Sequence, residues 1–139
     1  MNRTARSDLV LVLWGHGCHE AMAAGFVATF RQQGANVTLV GISGRRNAGA
    51  HGLILQPDIL LGEALALADA VNLVVLPCAA GTLASLDADP RLRDLCQQAQ
   101  AHGASFIVCE ERISDLLGLD RGRVHLFTHD LGPFSFLNP

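Results

Sequence analysis

The chain has 139 residues, half of them hydrophobic, with 17% charged and a formal net charge of -3. That is enough apolar content for one compact domain with its own core, residues 1–139. It is too little basic character for a nucleic-acid surface: Arg45-Arg46 is a pair in a loop, and Arg121 and Arg123 make no stripe that could track phosphates. No stretch reaches membrane-spanning length, so neither nucleic acid nor membrane is an expected partner.

The first residues, MNRTARSD, carry basic side chains ahead of an apolar run. The run ends at Trp14-Gly15-His16-Gly17 without a small-residue cleavage pattern, so it reads as a core strand after a flexible segment, residues 1–7. Without an export signal the expected compartment is the cytoplasm. The four cysteines, Cys18, Cys78, Cys96 and Cys109, are then expected as thiols, ligands or core filling, not as disulfides.

In chain order, Leu9–Leu13 predicts a short strand, and His19–Gln33 a helix with Met22, Phe26 and Phe30 at helical spacing and Gly34 as its stop. Asn36–Val40 predicts a second, parallel strand. The Gly-rich stretch 41–52 reads as a loop or hairpin leading into Leu53–Leu55. Leu60–Leu67 predicts one or two helical turns, weakened by Gly62. Val71–Leu76 is a strong strand stopped by Pro77, and Ala79–Leu86 reads as short and irregular. Asp89-Pro90 opens a helix to about Ala101, with Asp as N-cap and Pro in the first turn. Ser105–Val108 predicts a strand, Glu111–Leu117 a helix ended by Gly118, and Val124–Thr128 a last strand; 130–139 is an irregular, apolar tail that packs back on the domain. The alternation predicts an α/β fold, a doubly wound, mostly parallel sheet with helices on both faces, in which chemistry lies beyond the carboxyl ends of the strands. Cys18, Cys78 and Cys109 each follow such an end.

Cys109 is the candidate nucleophile or redox thiol, because a strand turning sharply into a helix exposes a side chain and a helix start favours a thiolate. Glu110 and Glu111 oppose ionisation by like charge. The stretch WGHGCHE (14–20) gathers His16, Cys18, His19 and Glu20 in one loop. Combined with Cys78 or Cys109 they would be a mixed sulfur and nitrogen donor set, but their spacing is no standard ligand pattern, so no metal and no cofactor is expected. PCAAGT (77–82) offers backbone N–H groups at Cys78 and Ala79 for an oxyanion, and Cys78 is a candidate resolving thiol for Cys109. Cys96 falls on an apolar helix face and reads as core.

The segments DLVLVLWGHGCHEAMAAGFVATFRQQGANVTLVGISG, GLILQPDILLGEAL and NLVVLPCAAGTLASLDADPRLRDLCQQAQAHGASFIVC together resemble the ThiJ/PfpI family of the class I glutamine-amidotransferase-like superfamily. The resemblance spans about residues 8–109 and implies a flavodoxin-like sheet shortened at its C-terminus. It places Cys109 at the family's elbow nucleophile or redox cysteine. It puts Met22 where the family carries a carboxylate that hydrogen-bonds this cysteine, with Glu20 two positions earlier and hence off that face. Glu110 stands where the family has a small residue or a histidine, and Cys78-Ala79-Ala80-Gly81 replaces a glycine-rich turn. Thirty residues follow Cys109, fewer than is usual, with His125 and His129 as stand-ins for a family histidine. The resemblance also implies a homo-oligomer, such as a dimer, with a partner or the tail covering a sheet edge.

Three readings follow. The first is a non-hydrolytic ThiJ/PfpI-like protein that binds a small molecule or senses oxidation through Cys109, with Cys78 or Cys18. The second is a cysteine-nucleophile hydrolase or deglycase-like enzyme, which needs a base near Cys109. The third is a structural or regulatory domain without a site, for which Met22 is gap filling. The absent carboxylate favours the first over the second.

Overall fold

A computed structural model describes residues 9–127. The expected residues 1–7, the tail 130–139, Thr128 and His129 lie outside the described residues. Strand β1 (Leu9–Trp14) is apolar throughout and buried from Val10 onward, the pattern of a central strand covered on both faces. Helix α1 (Glu20–Gln32) ends at Gly34, whose φ of 89° lets the N–H groups of Gly34 and Ala35 return to the carbonyls of Arg31 and Phe30. Strand β2 (Asn36–Gly41) pairs with β1 in parallel along its whole length. The Gly-rich stretch that follows is a hairpin, β3 (Asn47–Ala48) against β4 (Ile54–Leu55), antiparallel.

Strand β5 (Ile59–Leu60) leads into α2 (Leu61–Ala64), which passes into a 3-10 turn over Leu65–Ala70. The α-helical part is thus shorter than the Leu60–Leu67 expected, in keeping with the low helix propensity of Gly62. Strand β6 (Val71–Leu76) ends at Pro77. Residues expected to be irregular form helix α3 (Ala80–Leu86), because Ala80 and Leu83, three apart, are buried together and packing overrides the weak propensities of Gly81, Thr82 and Ser85. Helix α4 (Pro90–Ala101) starts as its sequence indicates, with the Asp89 carboxylate accepting the Arg91 N–H at 3.0 Å. Strand β7 (Ser105–Val108), helix α5 (Arg112–Leu117), a 3-10 turn at Arg121–Arg123 and strand β8 (Val124–Leu126) complete the described chain.

The main sheet has six strands in the order β5-β2-β1-β6-β7-β8, every pairing parallel. The chain moves outward from β1 to β2, then crosses back and moves the other way through β6, β7 and β8. Parallel crossovers share one hand, so reversing direction changes the face the connection covers. Helix α1 therefore lies on one face, against β1 and β2, while α2 to α5 lie on the other, where α4 packs on β6, α2 and α5. The reversal falls between β1 and β6, making this the switch point of a doubly wound sheet, the place where such folds open a crevice at the carboxyl ends. The core runs through both faces, with Trp14, Phe106, Leu92, Leu95 and Ile113 fully buried. Among the described residues, no helix is long and apolar enough to cross a membrane.

Candidate functional site

Strands β1, β6 and β7 are neighbours, so the loops carrying Cys18, Cys78 and Cys109 emerge side by side. Cys18 and Cys78 form a disulfide, with both residues fully buried. This corrects the expectation of four reduced cysteines. The bridge joins the loops that follow β1 and β6, the two strands that flank the switch point. The same loops are also joined next to the bridge, where the His19 N–H donates to the Pro77 carbonyl at 2.7 Å.

Cys109 is half-buried and is a free thiol. Its Sγ–H donates to the Cys78 carbonyl at 3.0 Å, a bond that needs the proton to stay on sulfur. Burial pushes the thiol up to about 11, and the Glu110 carboxylate pushes in the same direction. The turn differs from the expected elbow as well. Residues 109 and 110 bend before α5 begins at Arg112, and α5 has six residues. Among the described residues no non-glycine has positive φ, so Cys109 lacks the strained backbone that presents a nucleophile. At pH 7 about one such thiol in ten thousand is ionised. Alkylation of Cys109 is therefore expected to run roughly a hundredfold slower than for an ordinary thiol, rising with pH toward about 11. Glu110→Gln is expected to move that profile to lower pH. A rate plateau near pH 8 in a timed iodoacetamide reaction followed by mass spectrometry would refute this.

Glu20, a candidate site residue two positions before Met22, has its carboxylate committed elsewhere. Although it sits in a buried position, it accepts the His51 N–H at 2.7 Å and the Leu53 N–H at 3.0 Å, and pairs with His51 Nδ1 at 3.1 Å. Burial by itself raises its pKa, but the backbone and His51 hydrogen bonds outweigh it and hold the group at about 2. Glu20 thus fastens the β3–β4 hairpin over the Cys18 loop. Two backbone bonds share that work, Gly17 N–H to the Ala48 carbonyl at 2.9 Å and Ala50 N–H to the Cys18 carbonyl at 2.8 Å. Gly49 leaves room for the carboxylate, since a Cβ there would stand 2.4 Å from Glu20 Cδ. The hint in the sequence was a glycine-rich hairpin facing a lone carboxylate at a helix start.

Of the other candidates, Met22 is a buried residue of α1, His16 is exposed, His19 is the residue preceding α1, and Ala79 is the residue preceding α3. His125 is exposed on β8. Cys96 is a fully buried core thiol, pushed up to about 12 by burial. Among the described residues, no three His, Cys, Asp or Glu side chains are grouped so as to hold a metal ion.

No protein-family model matches the chain, and no curated protein matches it. Solved structures do. A cysteine-to-alanine mutant of a DJ-1 superfamily protein from Salmonella typhimurium is 26% identical, with a TM-score of 0.64 over 73% of this chain and 55% of that one. Drosophila melanogaster DJ-1beta is 22% identical, with a TM-score of 0.72 over 81% of this chain and 61% of its own. Oxidized Toxoplasma gondii DJ-1 is 21% identical, with a TM-score of 0.67 over 84% and 64%. The fold is the parallel, flavodoxin-like sheet of the DJ-1/ThiJ/PfpI structures. The chain spans 55% to 64% of the length of these three structures.

Proposed function

We propose that this is a non-hydrolytic, redox-responsive ThiJ/PfpI-like protein, in which the Cys18–Cys78 pair opens and closes the switch-point crevice to a small-molecule ligand. The observation that carries the reading is the disulfide between the two strands flanking that crevice. Reduction by a dithiol delivers two electrons and two protons, breaks the sulfur–sulfur bond and leaves thiols at Cys18 and Cys78, while the dithiol closes to its own disulfide. Cys109 is then a neighbour of the redox pair and not the sensor itself, because its proton is held by burial and by the Cys78 carbonyl. Hydrolysis is disfavoured by the same protonated thiol, and by the commitment of Glu20 to the hairpin.

The test is a thiol count by alkylation and mass spectrometry across a graded dithiol series. The expected result is two additional modified cysteines, Cys18 and Cys78, appearing together with one midpoint, and unchanged in Cys109→Ser. Alkylation of both without any reductant, or esterase or deglycase turnover abolished by Cys109→Ser, would overturn the reading.

A further inference from the structure

The Cys18–Cys78 bridge is out of reach in the closed structure, since both cysteines are fully buried. Reduction needs a thiolate to touch one of the two sulfurs, so part of the cover must first move aside. On the Cys78 side the cover belongs to the core. Cys78 sits at the exit of β6, between the Pro77 carbonyl that accepts the His19 N–H and helix α3 with its buried Ala80 and Leu83. The Cys109 thiol donates to the Cys78 carbonyl on that side at 3.0 Å.

The cover on the Cys18 side is of another kind. The β3–β4 hairpin lies against Cys18 through its turn, where the Ala50 N–H donates to the Cys18 carbonyl at 2.8 Å. Its strands have two residues each and form a sheet of their own, apart from the six-stranded one. Residues 50–54 are exposed, so lifting the turn gives up little buried apolar surface. Polar contacts hold it instead. The Glu20 carboxylate accepts the His51 and Leu53 N–H groups, Gly17 N–H donates to the Ala48 carbonyl, and Trp14 Nε1–H donates to the Asn47 carbonyl at 3.3 Å. Glu20 is the charged acceptor in this set, and bonds to a charged group are about twice as strong as neutral ones. A short, exposed element fastened chiefly by one buried carboxylate is the part of the cover that opens at least cost.

We propose that the β3–β4 hairpin is the gate to the disulfide and Glu20 its latch: the bridge is reduced through a locally opened state in which the hairpin has lifted from Cys18, and the Glu20 carboxylate sets how much of that state exists. The proposal rests on the reading of the bridge as the redox element. In the open state a thiolate of the reducing dithiol attacks one sulfur and forms a mixed disulfide, while the other sulfur leaves as a thiolate and takes up a proton. The second thiol of the reductant then closes its own disulfide and releases the remaining cysteine.

The experiment treats the folded chain with excess dithiothreitol and follows the bridge by timed alkylation and mass spectrometry, with amide exchange of His51 and Leu53 measured in parallel. Glu20→Gln removes the charge, and Gly49→Ala displaces the carboxylate, because a Cβ at Gly49 would stand 2.4 Å from Glu20 Cδ. Each is expected to speed reduction and exchange by the same factor, roughly tenfold. Ile113→Val, a mild change in the buried core of α5, raises the globally unfolded population severalfold and should leave the reduction rate alone. Cys109→Ala loosens the Cys78 side and should leave it alone too. The gate is overturned if neither Glu20→Gln nor Gly49→Ala speeds reduction, whether or not exchange accelerates. It is equally overturned if Ile113→Val speeds reduction as much as unfolding, or if Cys109→Ala speeds it as much as Glu20→Gln does. All of these results leave the redox reading standing, whereas alkylation of Cys18 and Cys78 before any dithiol is added overturns that reading and the gate together.

Discussion

Reducing the Cys18–Cys78 bridge is expected to lower the unfolding free energy by about 4 kcal/mol. The two cysteines are 60 residues apart, and closing a loop of that size removes chain entropy from the unfolded state on this order. For a domain of this length the loss corresponds to a fall in Tm of roughly 10–15 °C. Urea and thermal unfolding with and without a dithiol measure it directly. The double variant Cys18→Ala/Cys78→Ala should resemble the reduced protein and no longer respond to the dithiol. It should be somewhat less stable still, because both positions are fully buried and alanine leaves a small void. A midpoint that does not move on reduction would show that the bridge does not constrain the unfolded chain.

The second large effect belongs to Glu20. Its pKa falls from 4.5 to about 2 on folding, so the folded state favours the ionised form. The resulting stability, about 3 kcal/mol, is fully present above pH 4.5 and is lost as pH falls through about 2. Glu20→Gln should flatten the pH dependence in that window. Glu20→Ala should cost about 3 kcal/mol at neutral pH, because the His51 and Leu53 N–H groups lose a charged acceptor. The loss is expected first in the β3–β4 hairpin, which can open without the sheet. Amide exchange of His51 and Leu53 in the variant is the measurement, and protection equal to that of the parent chain would contradict the assignment.

Much of the fold was legible because its signals are local. The apolar runs at Leu9–Trp14 and Val71–Leu76, the Asp89-Pro90 start and the glycine stops at Gly34 and Gly118 each carry their reason within a few residues. Helix α3 was not legible, since its stability comes from burying Ala80 and Leu83 against the rest of the fold. The site was read in part. Three cysteines at strand ends were visible, but which strands stand together depends on the crossover back from β5 to β6, and that order is long-range information. The disulfide followed from that order. Glu20 was judged by its distance from Met22 along α1, whereas its partners come from a hairpin 31 and 33 residues away.

The bridge between β1 and β6 also divides the chain in a way that connectivity alone does not. Everything from α1 through β6, including the hairpin with its exposed Arg45, Arg46, Leu53 and Ile54, lies inside one closed covalent ring. A protease that cuts the exposed hairpin opens the ring without releasing a fragment. The nicked protein stays one covalent molecule under oxidising conditions, and reduction leaves its two pieces joined only by noncovalent contacts such as the pairing of β1 with β6 and of β2 with β5.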